Sequence, residues 1–236
     1  MLRRWPTSQG LLQELRGGAP NYAFHALGLL TLVALRVEHE TSNGAIAASM
    51  EGVKGVALPP ARNNRQDNSL QGWSWIPDTF SWVEPTAWCL LALKRWARVP
   101  GATVNPGRVD VAERLLVDRC CVTGGWNYGN SNMLGRELKP YVPTTAVALL
   151  AMQDRASEPA VARSAKYLQA QASSEPSGMA LSLALMALRA LGRETGDVVS
   201  ALKRQVPTSV ALNNQLAAAL ALHALGTDRG HSALAL

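Results

Sequence analysis

Five apolar segments of helical character end at Leu35, Leu93, Met152, Leu188 and Leu225, at intervals of 58, 59, 36 and 37 residues. Spacing on this scale means that one small helical unit is used repeatedly, because such a unit cannot bury its apolar face alone and must stack on its neighbours. The two shorter intervals fit plain helical hairpins; the two longer ones carry about twenty extra residues. Each unit reads as an outer polar helix, a glycine-aromatic turn and an inner helix that is apolar almost all round and so expected to be buried on every side. The clearest copy runs from Cys121 to Met152. In it Gly124-Gly125-Trp126-Asn127-Tyr128-Gly129 forms the turn, and Tyr141-Val142-Pro143 is a stop signal before the helix Thr145–Met152.

The other elements follow the same grammar. Ser8–Arg16 is expected to form a short amphipathic helix stopped by Gly17-Gly18, and Asn21 to cap a helix over Tyr22–Leu35. From Thr41 to Leu70 the apolar period is lost. Only Ala45–Met50 could hold a helical turn there, so the stretch reads as a functional flap, a disordered insertion or a degenerate helix pair. Gly72-Trp73-Ser74-Trp75-Ile76-Pro77-Asp78 repeats the organising turn and leads, past Pro85, into a helix from Thr86. Outer helices are expected over Val109–Asp118, Pro159–Ala172 and Thr195–Lys203, and inner ones over Met179–Leu188 and Gln215–Leu225. The 236 residues read as one domain, with the clearest repeats between 70 and 226.

Composition narrows the class. With 47% hydrophobic and 17% charged residues the chain is neither disordered nor fibrous. Seven tryptophans stand against two phenylalanines, and Trp73, Trp75, Trp82, Trp88 and Trp96 crowd into one short stretch. A plain core would favour Phe and Leu. The net charge of +6 is spread without a basic run or a basic-aromatic motif, so no nucleic-acid partner is expected. Three cysteines make no disulfide framework. No stretch reads as a transmembrane span or signal peptide. A soluble cytoplasmic protein is expected, with peripheral membrane contact allowed.

GGWNYG followed by PTTAVALLAM, and WSW…SWVEPTAWCLLAL, resemble the repeats of the prenyltransferase and squalene/terpenoid-cyclase superfamily. The resemblance covers roughly residues 70–226 and implies an all-α fold, an α/α toroid of inner and outer helices. About five hairpins are countable, so the implied ring is open or is completed by a neighbouring chain or a missing segment. In such a ring the cavity opens where inner helices begin. The resemblance therefore points to Trp82, Trp88, Trp126, Tyr128, Tyr141 and Thr144 as ligand-binding and to Asp78 and Glu84 as an acid pair. The ligand implied is an isoprenoid or similarly apolar molecule, whose cationic intermediates aromatic faces stabilise. Against this, a buried Trp is a natural staple between helices, and Asp78 as a cap with Glu84 in a first turn is ordinary for a helix start.

The activity motifs of that superfamily are missing. The cyclase acid comes from D-x-D-D, and no D-x-D occurs here. Asp118-Arg119-Cys120 copies the D-x-C spacing of the zinc-dependent members, with His223 and His231 later. It falls at the end of an outer helix, however, and four-ligand structural spacing is absent, so no metal or other cofactor is expected. Lys54, Arg62, Arg65 and Lys139 could meet a diphosphate, but solvated loop charges look the same. Two other classes stay open: a non-catalytic assembly module that binds a partner chain, and a carbohydrate-active helical barrel resting on Asp78 and Glu84 as paired carboxylates.

Overall fold

A computed structural model describes residues 21–36, 40–60, 65–227 and 232–236. The helix expected over Ser8–Arg16 lies outside these residues, as do Arg62 and His231. The described residues hold nine α-helices and a single two-stranded hairpin, so the fold is all-α. The chain divides into two compact units, residues 1–118 and 119–236.

Unit 1 contains α1 (Tyr22–Ala34), α2 (Glu40–Gly52), α3 (Val83–Trp96) and α4 (Pro106–Asp118). Asn21 caps α1, its Oδ1 accepting from the Phe24 N–H at 3.3 Å. The inner helices α1 and α3 pack together, with α2 and α4 beside them. Every residue of α3 from Pro85 to Lys94 is buried. Fully burying Leu90, Leu91 and Leu93 contributes roughly 1.5–3 kcal/mol each. The one charge in that buried run, Lys94, meets Glu113 of α4 at 2.7 Å. Helix α3 opens three residues earlier than expected. Trp82 is its extended N-cap, and Pro85 sits in the first turn, where its missing N–H costs nothing.

The long stretch after Thr41 is corrected more substantially. It supplies a thirteen-residue helix, α2, rather than a single turn, because Asn43, Ile46, Ala47 and Met50 bury one face at helical spacing. The described residues after Gly52 form an irregular segment lying on the turn that follows. Gly55 N–H donates to the Gly72 carbonyl at 3.0 Å, Val56 N–H to that of Thr79 at 2.8 Å, and Gln71 Nε2 to the Gly55 carbonyl at 2.9 Å. The stretch is thus an outer helix plus an extended strap.

Unit 2 contains a hairpin, β1 (Asn132–Met133) with β2 (Arg136–Glu137), then α5 (Val142–Ala151), α6 (Pro159–Gln171), α7 (Gly178–Ala190), α8 (Gly196–Ala211) and α9 (Gln215–Gly226). Here α5 packs on α7 and α7 on α9, while α6 and α8 lie alongside, giving the alternation of inner and outer helices read from the repeats. Apart from Pro143, all of α5 is buried. Ser177 and Asn214 cap α7 and α9 through their side chains. Helix α8 runs past its expected end to Ala211 with Pro207 inside it. Proline removes a main-chain hydrogen bond, yet Val198, Leu202 and Ser209 hold both halves to the core of the unit.

Candidate functional site

The two Gly-Trp turns are the same construction. In unit 1 the Trp73 N–H donates to Thr86 Oγ1 at 2.9 Å, the Thr86 hydroxyl donates back to the Trp73 carbonyl at 3.4 Å, and the Trp82 N–H donates to that carbonyl at 3.0 Å. In unit 2 the Trp126 N–H meets Thr145 Oγ1 at 2.9 Å, the hydroxyl returns to the Trp126 carbonyl at 3.3 Å, and the Tyr141 N–H closes the set at 2.9 Å. One threonine, the fourth residue of the inner helix, thereby satisfies both main-chain groups of a buried tryptophan. The preceding glycine is required in each case. A Cβ on Gly72 would overlap the Thr86 hydroxyl, and one on Gly125, whose φ is +82°, would lie 2.7–2.9 Å from Pro140, Thr145 and Tyr167.

This construction separates the aromatic candidates. Trp73 and Trp126 are wholly enclosed, 0% exposed. The Trp73 indole N–H donates to the Met50 carbonyl at 2.8 Å, and the Arg108 guanidinium lies 3.5 Å above its ring. Arg108 also donates to the carbonyls of Gln71, Gly72 and Val53. Burial lowers that guanidinium to about 10, which leaves it charged at neutral pH. Thr144 is buried as well. The candidates that stay open are Tyr128 in its turn and the inner-helix N-caps Trp82 and Tyr141. Trp82, half-buried, pairs with Phe80 at 4.8 Å between ring centroids; Tyr141, 46% exposed, pairs with Tyr128 at 5.1 Å. Trp82 and Tyr141 occupy the same place in their units, and each faces solvent with a second ring beside it.

Of the two carboxylates, Glu84 stands out. It is half-buried in the first turn of α3, and burial raises its pKa, opposed by a hydrogen bond donated from the Trp88 indole one turn along. Asp78 does not cap the helix. It lies exposed in a turn, at a φ of +61°, five residues before the first helical one. Its charge is felt instead by Tyr22, whose hydroxyl pKa is raised first by burial and then by Asp78 and Cys89.

The D-x-C residues serve other ends. The Asp118 carboxylate accepts from the Asp67 N–H at 3.1 Å through both oxygens. The Cys120 thiol lies 3.5 Å from Ser164 Oγ, and burial raises its pKa. His223, half-buried, has Nε2 3.2 Å from Ser232 Oγ. Among the described residues no group of three or more His, Cys, Asp or Glu side chains is placed to hold a metal. Lys54, Arg65 and Lys139 are exposed.

Sequence reasoning passed over Phe80 and the apolar hairpin tip at Met133-Leu134. The alternation of Phe80 and Trp82 in an extended segment was the available signal for the first. No family model and no curated protein matches this chain.

Proposed function

We propose that the chain is a prenyltransferase- and terpenoid-cyclase-like α/α-toroid protein that holds an isoprenoid or other apolar ligand against aromatic side chains at the N-terminal ends of its inner helices. The observation that supports this is the repeated open aromatic pair, Phe80–Trp82 in one unit and Tyr128–Tyr141 in the other. The core needs neither pair, since Trp73 and Trp126 already close the turns. Large flat rings left in water are costly unless a ligand covers them, and they are the surfaces on which an apolar or cationic hydrocarbon rests best.

In the catalytic form of this reading Glu84 is the acid. Its raised pKa keeps more of the carboxyl protonated than in water, and the Trp88 indole fixes its direction. The proton would pass to an alkene carbon, with an aromatic face beside the resulting cation. A cytoplasmic setting fits the three free thiols.

The test is native mass spectrometry of protein from its own host, with organic extraction of what it carries, followed by titration with a fluorescent farnesyl analogue. Binding should weaken in Trp82→Ala or Tyr141→Ala. An empty protein with no affinity for the analogue sinks the reading. Unchanged turnover of a confirmed substrate in Glu84→Gln would remove Glu84 as the acid. A second reading, the assembly module, is favoured by the last helices, where Leu212, Leu216 and Leu222 are 75%, 61% and 78% exposed. A monomer by light scattering with no captured partner argues against it.

A further inference from the structure

We propose that the β-hairpin of unit 2 seats the protein on an anionic lipid surface. Leu134 and Gly135, at φ +51° and +76°, form the two-residue turn between the paired Met133 and Arg136. The first position of such a turn ordinarily takes Asn, Asp or Gly, because these accept left-handed backbone most easily. Here it holds a leucine that is 76% exposed, with Met133 behind it at 45%. In water that residue bears both a strained backbone and an uncovered apolar side chain. An apolar phase removes the second cost.

The hairpin is built to hold this tip out. Asn127 is buried and clamps its base: Nδ2 donates to the Asn130 carbonyl at 2.7 Å and the Lys139 carbonyl at 3.4 Å, while Oδ1 accepts from the N–H groups of Gly129 and Asn130. A further rung joins the Leu138 N–H to the Ser131 carbonyl at 2.9 Å. Strand register separates the two faces. Asn132 is buried and its amide meets the Glu137 carboxylate at 3.4 Å, so the Met133–Arg136 pair takes the outward face.

The charges fit headgroups. Arg136 shares the outward face with the apolar tip, exposed Lys139 stands at the base, and the acidic neighbour Glu137 is on the Asn132 side. The chain as a whole is +6. Cations beside an inserting apolar tip are the two signals that peripheral attachment to anionic bilayers needs. Tyr128 and Tyr141, flanking the hairpin in the chain, are amphipathic side chains suited to the same boundary. No helix among the described residues is long and apolar enough to cross a membrane, so contact would be at the surface. The corresponding loop of unit 1, residues 74–81, exposes Ile76 but carries Asp78 and no cation, which assigns this role to unit 2.

Co-sedimentation of the full chain with phosphatidylcholine vesicles, with and without phosphatidylglycerol, tests the proposal. The protein should bind the anionic vesicles preferentially and release as salt is raised. Leu134→Asn should lower partitioning about tenfold, from the apolar area withdrawn from the bilayer. Arg136→Gln should lower it about fivefold on anionic vesicles only. Leu134→Asn should also melt no lower than the wild type, since Asn suits the left-handed turn, which separates lost binding from lost folding. Trp82→Ala, aimed at the ligand reading, should bind vesicles normally. The proposal is overturned if the wild type ignores anionic vesicles or if Leu134→Asn binds them equally well. It is likewise overturned if the leucine proves only to join two copies of the chain, without vesicle binding.

Discussion

Alanine at Gly125 tests whether the Gly-Trp turn is held by close approach or by backbone freedom alone. At a φ of +82° an L-residue costs about 1–2 kcal/mol for its left-handed backbone. The added Cβ would also lie 2.7 Å from Pro140 Cβ, 2.8 Å from Thr145 Oγ1 and 2.9 Å from Tyr167 Cδ1. None of these can easily retreat. Thr145 is bonded to both main-chain groups of Trp126, and the Tyr167 hydroxyl donates to the Pro140 carbonyl at 3.0 Å. Overpacking of this kind adds about 1–3 kcal/mol. The expected loss is therefore about 2–5 kcal/mol, a large share of the roughly 5–15 kcal/mol that holds a domain together. Gly135 is the control in the same unit: its φ is +76° and nothing lies within 4 Å of its would-be Cβ, so Gly135→Ala should show only the backbone part. In urea, with an m-value of about 2 kcal/mol/M, Gly125→Ala should lower the midpoint of unit 2 by about 1–2.5 M and Gly135→Ala, with the backbone part alone, by about 0.5–1 M. Equal shifts would refute close approach as the constraint.

Two further outcomes follow from buried charge. Lys94→Met removes the ammonium that lies 2.7 Å from the buried Glu113 carboxylate, 10% exposed as a side chain, and should cost up to about 3–5 kcal/mol by chemical denaturation, whereas Lys94→Met/Glu113→Leu should recover most of that loss; a double variant no better than the single one would mean the pair is not coupled. Glu84 has a folded pKa above its ordinary 4.5, so between those values the folded chain keeps a proton the unfolded chain has lost, and stability falls as pH rises through that window. Glu84→Gln, always neutral, should melt at or above the wild type at neutral pH and match it well below pH 4.5; a variant less stable at neutral pH would show that the ionised carboxylate is favoured after all.

Much of the helical plan was legible because helix bonds are local. The apolar runs at Tyr22–Leu35, Met179–Leu188 and Gln215–Leu225 carry their own period and caps, and each became a helix within a few residues of its expected ends. Starts behind a proline were read late. Tyr141-Val142-Pro143 looks like a stop signal, and Pro85, though it suits a first turn, points to a helix from Thr86; both helices begin ahead of their proline because the first-turn N–H groups need no partner inside the helix. Helix α2 was read as one turn because Gly44 and Ser49 dilute its apolar pattern, and only burial of Ile46, Ala47 and Met50 makes it a helix.

The candidate site divides along the same line. By itself the sequence determined that this is a repeating, inner-and-outer arrangement of helices with aromatic residues concentrated at the turns, since residue type and spacing suffice for that. Which aromatic is enclosed and which is open was decided only by tertiary structure. Trp126 and Tyr128 stand two residues apart in one turn, yet one is sealed against Thr145 and the other lies exposed against Tyr141. Nothing local distinguishes them. The difference comes from partners 19 and 13 residues further along the chain, brought in when the inner helix folds back on its own turn.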